Sequence, residues 1–402
     1  MRPQGSRSSR LRTRRVAHLT SVHRSDDPRI VLKECASLAD RGYDVVLVAR
    51  GSTPVTMPAG VRFVSAGESH SRLGRMAWLP IRILLRAWRL RARIYHIHDP
   101  ELLPIGLLLK LSGAAVIYDA HEDLPRQIAY KPYILPVLRA PISLVADLIE
   151  RNVARYLDRI VAATPKIASR FPGDRTAIIH NFPRMAEFPA GEVRAYAERS
   201  LVVAYVGRLT EMVGAEVMVG AAEELGRSSV RFVLAGPIEK PLEVRLRGQS
   251  SHVEFPGRVS RGEVWELLNN ARVGVVLFQP LANYVDAYPT KLFEYMACGM
   301  PVVASDFPLW RDIVTSAGCG LLVDPTDPVA VARAIGQLLD DEEMSAAMGQ
   351  LGRHAVEKRF TWDEQAERLG SLYDGILGAS PDSQLPSEDT RRRARGPSSA
   401  RD

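Results

Sequence analysis

Short β-branched runs alternate with helical patterns along nearly the whole chain, and this alternation limits the possible folds more than any other feature. Strands are predicted at 16–21, 44–49, 61–65, 94–97, 115–118, 159–163, 201–206, 231–235, 252–255, 273–278, 301–304 and 320–323. Helical periodicity fills the gaps, for example at 29–41, 78–93, 214–226 and 328–340. Such alternation predicts parallel sheets with helices on both faces. Because this many strands exceed one comfortable sheet, we expect two α/β domains.

The composition fits a globular protein of this class. The 402 residues are 46% hydrophobic and 25% charged, which are ordinary globular values. The three cysteines contain no C-x-x-C pair, so neither a disulfide framework nor a zinc ribbon is predicted. No apolar run resembles a signal peptide or reaches the length of a membrane span. We therefore expect a cytoplasmic protein.

Proline content and apolar periodicity predict the domain boundaries. Residues 182–200 contain three prolines and little apolar period, which indicates a linker. The sequence thus predicts one domain at 15–181, a second at 201–360 and a last helix at 361–377. We expect the basic residues 1–14 and the Pro- and Ser-rich tail 378–402 to be disordered.

Charge is distributed unequally between the two halves of the chain. Residues 1–190 carry a net charge of +14 against +7 for the whole chain, so the remainder is acidic. This asymmetry predicts an anionic partner for the N-terminal half: nucleic acid, an anionic membrane surface or a phosphorylated substrate. No helix-turn-helix, RRM or zinc pattern supports nucleic acid.

The basic stretch 72–93 contains two helical stripes. Its arginine stripe and its apolar stripe are formed by Arg82, Arg86, Arg89 and Arg93 and by Trp78, Ile81, Leu85 and Trp88. Arginine beside tryptophan is typical of a helix that lies on an anionic membrane. In the alternative interpretation, the apolar stripe faces a core and the arginines face solvent.

Histidines and acids follow several strands of the first half. HIHDPE at 96–101 and YDAHED at 118–123 could supply metal ligands, or a polar patch for sugar hydroxyls and proton transfer. The chain lacks H-E-x-x-H and D-x-D, so no metal site is predicted. The cleft candidates of this half are His23, Asp27, Arg29, His98, Asp99, His121 and Glu122.

Two of these clusters permit different interpretations. Asp27 and Pro28 are suited to starting a helix, while His23 and Arg29 could contact an anionic ligand. An acidic neighbour can tune the proton affinity of His121, which makes it the better candidate for proton transfer.

The second half contains a candidate phosphate site. Arg208 follows a strand and Gly207, and its planar fork suits a diphosphate, although a surface salt bridge is the alternative. The run DAYPTKLFEYMACGMPVVAS at 286–305 starts a helix near Thr290, whose free N–H groups can hold phosphate. Lys291 lies in its first turn.

These motifs together resemble a known family. The run at 286–305 resembles the E-x7-E segment of the family-four retaining glycosyltransferases of GT-B fold, and GRLTE at 207–211 resembles their donor-phosphate loop. HRSDDPRI, HIHDPELLPIG and YDAHE are similar to the N-terminal domain of bacterial polysaccharide-building members. The resemblance spans roughly residues 15–377, with the motifs in the family's order.

The resemblance implies two Rossmann-like domains facing across a cleft. The N-terminal domain would hold a glycan or lipid-linked acceptor, and the C-terminal domain a UDP- or GDP-sugar, with no metal or other cofactor. The sugar would move with retention, in the synthesis of cell-surface polysaccharide or glycolipid. The last helix would cross back to the first domain.

The resemblance also implies residue roles. Arg208 would grip the donor diphosphate, Glu294 the ribose hydroxyls and Asp286 the transferred sugar, while His121 would lie beside sugar and acceptor. The backbone that would cradle phosphate and sugar runs through Tyr288, Pro289, Thr290 and Lys291, and Gly207 would permit the tight turn before Arg208.

Two positions depart from the family pattern. Asp286 stands where the family usually has Glu, and Val213 stands where it commonly has Lys. Either Lys291 or Arg29 compensates for the missing charge, or donor affinity is lower, or the chain is impaired. An inactive nucleotide-binding scaffold and an epimerase therefore remain alternatives. The sequence has no conspicuous lysine for a bound cofactor, so it offers no support for a phosphorylase. It also lacks the G-x-G-x-x-G that a dehydrogenase would need after the first strand.

Overall fold

The structure is a computed structural model that describes residues 14–52, 57–68, 72–130, 134–249 and 252–378. The predicted disordered segments lie outside this range, apart from Arg14 and Gly378 at its ends. All of the predicted strands are present, and Thr176–Ile178 is an additional short strand that the sequence analysis missed.

The first half of the described chain forms a seven-stranded sheet. Its strands are β1 (Arg15–Arg24), β2 (Asp44–Arg50), β3 (Val61–Ser65), β4 (Ile94–Ile97), β5 (Ala115–Ala120), β6 (Arg159–Ala162) and β7 (Thr176–Ile178). Their order in the sheet is β3-β2-β1-β4-β5-β6-β7. The pairs of β1 with β2 and β4, of β2 with β3 and of β4 with β5 are parallel.

The helices of this half connect those strands. Helix α1 winds as a π-helix over Pro28–Cys35 and as an α-helix over Ala36–Asp40. The others are α2 (Arg72–Leu90), α3 (Leu103–Leu111), α4 (Leu124–Ala129), α5 (Pro136–Ala154) and α6 (Pro165–Ala168). Asp27 caps α1 by accepting a hydrogen bond from the Ile30 amide, and Pro28 follows it, which confirms the predicted helix start.

The second half forms a six-stranded parallel sheet. Its strands are β8 (Ser200–Val206), β9 (Arg231–Ala235), β10 (Val253–Gly257), β11 (Ala271–Val276), β12 (Val302–Ser305) and β13 (Gly320–Val323), in the order β10-β9-β8-β11-β12-β13. Both faces of the central strands are buried, which explains their continuous apolar sequences. The two parallel sheets confirm the predicted α/β class.

The helices of the second half, apart from the last, cover the two faces of this sheet. They are α7 (Ala215–Leu225), α8 (Lys240–Arg247), α9 (Arg261–Asn270), α10 (Ala282–Val285), α11 (Thr290–Ala297), α12 (Pro308–Ala317), α13 (Pro328–Asp340), α14 (Glu342–Arg359) and α15 (Trp362–Gly378). Their starts follow known capping rules: Ser260 and Glu263 form a capping box on α9, and Asp327 caps α13. The predicted linker contains three short 3₁₀ turns and no strand before Ser200.

The described chain divides into two compact units. The first contains residues up to Asp119, Asn152–Val161 and the chain from Ala366 onward; the second contains Ala120–Arg151 and Ala162–Gln365. Most of the last helix therefore belongs to the first unit. There Asp374 pairs with Arg14 at 3.0 Å and with Arg41 at 3.1 Å, while its carboxylate accepts a hydrogen bond from Tyr43.

The apolar stripe predicted on helix α2 lies at the surface. Trp78 is 70% exposed, and Ile81, Leu85 and Trp88 are about half exposed. The neighbouring Arg82, Arg86 and Arg89 are also exposed. The core side of α2 is instead formed by Leu79, Ile83 and Ala87. The interpretation of the tryptophan stripe as core is therefore wrong, because a different apolar stripe fills that role. No helix in the described part of the chain has the length and apolar content needed to cross a bilayer.

Gly214 allows the backbone at the start of α7 to lie close to the carbonyl group of Leu277, directly after β11. Its φ of 75° lies in the left-handed region, and a Cβ there would overlap the Leu277 carbonyl oxygen. Gly226, which follows α7, also has a left-handed φ, of 58°, but its Cβ would meet nothing closer than 3.7 Å. Both positions favour glycine, and only Gly214 also requires its small size.

We expect Gly214→Ala to destabilise the protein more than Gly226→Ala. Both variants incur the left-handed backbone cost of roughly 1–2 kcal/mol, and Gly214→Ala adds a clash with backbone of about 1 kcal/mol or more. Urea unfolding of both variants measures the difference. Equal losses in the free energy of unfolding would show that the backbone around Leu277 moves away from the new methyl group without a cost in free energy.

Candidate functional site

The loop after β8 carries an uncommitted arginine. Gly207 donates its amide hydrogen to Ala235 O at 2.9 Å, and Leu209 donates to Pro237 O at 3.0 Å, so backbone bonds fix the loop on both sides of Arg208. The Arg208 side chain is exposed and has no hydrogen bond or ion pair with any residue that the structure describes. Its charge is therefore available to an anionic ligand.

Val213 lies in the core of the second unit. The side chain is 7% exposed and packs in the apolar cluster that contains Leu209, Met218 and Leu277. A lysine restored at this position would have to place its charge among apolar side chains. Where the family commonly has a charged lysine, this chain therefore has an apolar side chain that packs in the core.

Helix α11 presents its first turn beside two charged side chains. Pro289 precedes the helix without a side-chain cap, which leaves the first amide groups of α11 for another partner. Lys291 Nζ donates to Glu294 Oε2 at 2.9 Å, and each side chain is about one quarter exposed. The arrangement combines a helix N-terminus, a cation and a carboxylate.

Aromatic packing holds the α11 region in place. The Val206 amide at the end of β8 donates to the buried Tyr295 hydroxyl at 2.9 Å, which ties α11 to the central strand. Trp310 Nε1 donates to Ala287 O at 2.8 Å and fixes the loop that precedes the helix. The Tyr288 ring lies 4.6 Å from the His180 ring, between centroids. His180 is a neighbour of this region that the sequence analysis missed.

Asp286 is paired with an arginine that the sequence analysis also missed. Arg126 on α4 donates from Nη1 to Asp286 Oδ2 at 2.7 Å and to Ala282 O at 2.7 Å. The side chains are 29% and 42% exposed, so the pair is accessible to solvent. Asp123 caps α4 and lies 3.4 Å from Arg126 Nε. The pair connects the segment after His121 to the loop before α11.

His121 and Glu122 lie between the end of β5 and the start of α4. His121 is half-buried, and Glu122 is exposed. Both belong to the second unit, as do Arg208, Asp286, Lys291 and Glu294. The predicted catalytic and donor-binding residues are thus all found in one unit.

The candidate site residues of the first unit make more structural contacts within the protein than the sequence suggested. Asp99 is 2% exposed, and its Oδ2 accepts hydrogen bonds from Thr20 Oγ1 at 2.8 Å and from the Ser21 amide at 2.6 Å. His23 Nδ1 lies 3.0 Å from Asp27 Oδ2, and its Nε2 lies 3.6 Å from Asp99 Oδ1. These residues hold the end of β1.

Arg29 is buried, contrary to the expectation that it faces an anionic ligand. It donates a bidentate pair of hydrogen bonds to Asp119 at 3.1 and 3.2 Å, and its Nε lies 3.0 Å from Glu34 Oε1. Burial lowers the pKa of the Arg29 guanidinium, but Asp119 and then Glu34 outweigh this effect and raise it. Because its charge is neutralised inside the first unit, Arg29 cannot replace the lysine missing at position 213.

A buried polar cluster lies beside this network. His18, Glu34, His96 and His98 place one ligand atom each within 4.8 Å of one another. His18 Nδ1 lies 2.9 Å from His98 Nε2, and His98 Nδ1 lies 3.2 Å from Asp119 Oδ2. Tyr373 from α15 lies 2.7 Å from His96 Nδ1 and 3.2 Å from His18 Nε2 through its hydroxyl.

The distances do not match a zinc coordination shell, and hydrogen bonds join only the histidines, Asp119 and Tyr373: among the described residues, neither carboxylate oxygen of Glu34 has a hydrogen-bond partner. Two nitrogens on one tetrahedral zinc lie about 3.4 Å apart, given Zn–N bonds of about 2.1 Å. The observed separations are 2.9 Å for the two histidines and 3.9 Å from each of three histidines to Glu34 Oε2. Burial lowers the pKa of His18 and His96 and raises that of Glu34, which favours the neutral forms of these three side chains.

Two family models match most of the chain. The model described as "Glycosyl transferase 4-like domain" matches residues 28–181, and the model described as "Glycosyl transferases group 1" matches residues 189–355. The break between the matches falls in the predicted linker.

Curated relatives belong to the same class. A GDP-mannose-dependent alpha-(1-6)-phosphatidylinositol monomannoside mannosyltransferase of Mycolicibacterium smegmatis is 28% identical over 60% of this chain and 66% of its own length. A D-inositol 3-phosphate glycosyltransferase of Corynebacterium urealyticum is 29% identical over 75% of this chain and 69% of its own. The matches cover 66%, 52% and 69% of the length of three such relatives.

Solved structures share the fold over almost the whole chain. Sucrose-phosphate synthase from Thermosynechococcus elongatus has a TM-score of 0.73 and 20% identity, covering 91% of this chain and all of that one. Anabaena HepE, solved with UDP and glucose, has a TM-score of 0.68 and 14% identity over 90% of this chain and 99% of that one.

The two parallel sheets and these neighbours define the fold as GT-B, the two-domain architecture of nucleotide-sugar glycosyltransferases. Within that class the chain belongs to the family-four, or group 1, glycosyltransferases. The resemblance drawn from the sequence motifs is thereby confirmed.

Proposed function

We propose that the chain transfers a sugar from a nucleoside-diphosphate sugar to a glycan or lipid-linked acceptor, with retention of anomeric configuration. The observation that carries the proposal is the contact of Lys291 with Glu294 at the uncapped start of α11, a helix that Tyr295 ties to the end of β8 just before Arg208, within the segment that the group 1 model matches. Relatives that use GDP-mannose, and neighbours solved with UDP, support either base.

The chemistry proposed for this site is stabilisation of a leaving diphosphate. Arg208, Lys291 and the N-terminal amides of α11 would meet the charge that develops when the bond from the sugar's anomeric carbon to phosphate oxygen breaks. An acceptor hydroxyl would form the new bond on the same face, and its proton would pass to the departing phosphate oxygen. Glu294 would bind the ribose hydroxyls, and Asp286 the transferred sugar.

The ion pair between Asp286 and Arg126 would have to open when the sugar binds. An exposed ion pair contributes roughly 0–1 kcal/mol, so a sugar hydroxyl can compete for the Asp286 carboxylate at little cost. Arg126 would then remain beside the bound sugar as a further donor. We propose Arg126 as a donor-site residue in addition to those predicted from the motifs.

We expect Arg208→Ala to weaken nucleoside-diphosphate binding about tenfold to a hundredfold, because it removes a charge-assisted contact worth roughly 1.5–3 kcal/mol. Glu294→Gln should weaken binding of UDP or GDP even without a sugar. Asp286→Asn should weaken only the sugar conjugate. Titration calorimetry with UDP, GDP, UDP-glucose and GDP-mannose measures all three effects.

Two control variants make this titration decisive. Arg333→Ala removes an exposed arginine from α13 and should leave every affinity unchanged. Arg126→Met breaks the ion pair while keeping the Asp286 carboxylate, so it separates the loss of the pair from the loss of the acid. An Arg208→Ala variant that binds as tightly as the Arg333→Ala control refutes the donor site.

We expect His121→Ala to abolish most turnover while donor affinity and melting temperature stay close to those of the unaltered protein. A general acid–base or positioning group beside the reacting atoms typically contributes 10²–10⁴-fold in rate. Release of nucleoside diphosphate in the presence of acceptor measures this effect. Full activity of the variant assigns His121 a structural role, and donor binding without turnover in the unaltered chain supports the inactive scaffold instead.

We further propose that helix α2 docks on the inner face of an anionic membrane, which would place the enzyme peripherally there. The exposed Trp78 and Trp88 alternate with exposed arginines on one surface of the helix. Each cation near an anionic surface contributes about 1 kcal/mol. The lipid substrate in the name of the mycobacterial relative is consistent with such a location.

We expect the variant Arg82→Glu/Arg86→Glu to lose binding to vesicles that contain phosphatidylglycerol, since it reverses two charges on this surface. Binding of the unaltered protein should weaken with salt, because exposed charges are screened. Co-sedimentation with vesicles measures both effects, and Arg333→Glu is the control. Unchanged sedimentation of the α2 variant, or equal binding to neutral vesicles, contradicts the proposal.

A further inference from the structure

A cavity of about 510 Å³ opens in the first unit, where helix α2 ends and strands β4 and β5 begin. The residues that line it include Trp88, Arg91, Arg93, Tyr95, Ser112 and Gly113. Its volume lies within the range of roughly 300–1,000 Å³ that small-molecule sites occupy. The cleft candidates His98 and Asp99 follow the carboxyl end of β4, about 13 Å away along the strand. The cavity is therefore separate from the cleft predicted from the sequence.

Arg91 holds a backbone conformation that few residues other than glycine adopt. Its φ is 48°, and it is the only residue besides glycine with a positive φ in the part of the chain that the structure describes. Glycine is the usual residue in this conformation directly after a helix, because a Cβ is disfavoured there. Unfavourable backbone conformations cluster at functional positions. The presence of an arginine where glycine would fit better points to a role for its side chain.

The end of helix α2 does not use the Arg91 side chain. Arg15 Nη1 donates to Leu90 O at 3.1 Å and so satisfies a terminal carbonyl of this helix. Arg91 is exposed, and its guanidinium has no hydrogen bond or ion pair with any residue in the described ranges. Its charge is therefore available to a ligand in the cavity that it lines.

The cavity is positively charged. Arg91 and Arg93 line it, and none of the described residues around it is an aspartate or a glutamate. Helices α2 and α3 both end there with the negative ends of their dipoles, but caps already meet part of this charge. Arg15 caps α2, and the Ser112 hydroxyl donates to Leu109 O at the end of α3 at 2.6 Å. The two guanidinium groups thus favour an anionic ligand, and their planar forks suit a phosphate.

The aromatic wall of the cavity favours a ligand that also has a flat ring. Trp88 is 54% exposed, so much of its indole is accessible to a ligand. The buried Tyr95 donates from its hydroxyl to Ala87 O at 2.9 Å and accepts from the Ala92 amide at 3.1 Å, which fixes the wall behind it. A phosphate group alone fills only a small part of about 510 Å³, whereas a nucleobase can stack on tryptophan. Volume, charge and ring together indicate a nucleoside phosphate.

We propose that this cavity binds a free nucleoside phosphate, with the phosphate on Arg91 and Arg93 and the base on Trp88. The proposal gives the first unit a second small-molecule site, at the amino edge of its sheet and in a different unit from the donor-site residues. It is independent of sugar transfer. It shares Trp88 with the surface of α2 proposed for docking, so its tests are made without vesicles.

Equilibrium dialysis of the full chain against labelled AMP, GMP, CMP and UMP tests the site. At least one of these nucleotides should bind about tenfold or more tightly than ribose 5-phosphate, because the base adds a contact with Trp88. The affinity should be the same in Arg208→Ala, which alters only the proposed donor site. Failure of all four nucleotides to bind, or an affinity equal to that of ribose 5-phosphate, overturns the proposal. A nucleotide whose binding is lost in Arg208→Ala belongs to the donor site and overturns it as well.

The variant Arg91→Gly separates the ligand contact from the fold. It should weaken nucleotide binding about tenfold or more, since a charge-assisted contact is lost. Its melting temperature should rise by roughly 1–3 °C, because glycine suits the left-handed conformation. Arg89→Ala removes an exposed arginine of the same helix that does not line the cavity, and it should leave the affinity unchanged. If Arg91→Gly binds the nucleotide as tightly as Arg89→Ala does, the site is refuted.

The variant Trp88→Leu tests the class of ligand. It keeps both arginines, so its affinity for the nucleotide should fall to that for ribose 5-phosphate without reaching zero. The nucleotide should quench tryptophan fluorescence in the unaltered chain and much less in this variant. Trp78→Leu is the matched control, since Trp78 is 70% exposed on the same helix and does not line the cavity. An unchanged preference for the nucleotide in Trp88→Leu refutes the stacking of a base and with it the proposed ligand.

Discussion

The pairing of buried Arg29 with Asp119 is the interaction on which the first unit depends. Removing one partner of a buried ion pair costs about 3–5 kcal/mol, because it leaves a charge without compensation in a medium of low dielectric constant. Arg29 comes from the start of α1 and Asp119 from the end of β5, so the pairing fixes two elements that are far apart in sequence. The histidine cluster is built against this network through His98.

The second unit uses charge in the opposite way. Arg208 is held on a loop fixed by backbone bonds, and its side chain is left exposed, while Lys291 and Glu294 share one partly exposed contact. Breaking exposed contacts of this kind costs little free energy, so these side chains can turn toward a ligand. The contrast distinguishes a buried and fully committed charge in the first unit from exposed charges in the second, which are those that we propose bind the donor.

The sequence predicted the elements well because their signals are local. β-branched runs mark the strands, and residues such as Asp27 and Pro28 mark a helix start through contacts within one turn. The motif at 286–305 also lies on one loop and one helix, so its residues are brought together by their spacing alone.

The failures of the sequence analysis concern burial and distant partners. Arg29 was interpreted by its chemistry as a ligand contact, but its acidic partner Asp119 lies ninety positions away. The partners Arg126 and Asp286 come from segments whose proximity no local pattern reveals. On α2 the choice between two apolar stripes depended on which one the sheet covers, and a helical period does not specify that.

The position of Tyr373 in the histidine cluster has a consequence for the order of synthesis. His96 and Tyr373 are separated by 277 positions. At about 5–20 residues per second, a ribosome needs roughly 15–55 s to add that length of chain. During this interval His96 Nδ1 and His18 Nε2 lack the hydroxyl that they contact in the folded protein. The first unit therefore closes only after the second has been made, which gives chaperones a defined window in which the nascent N-terminal half is incomplete.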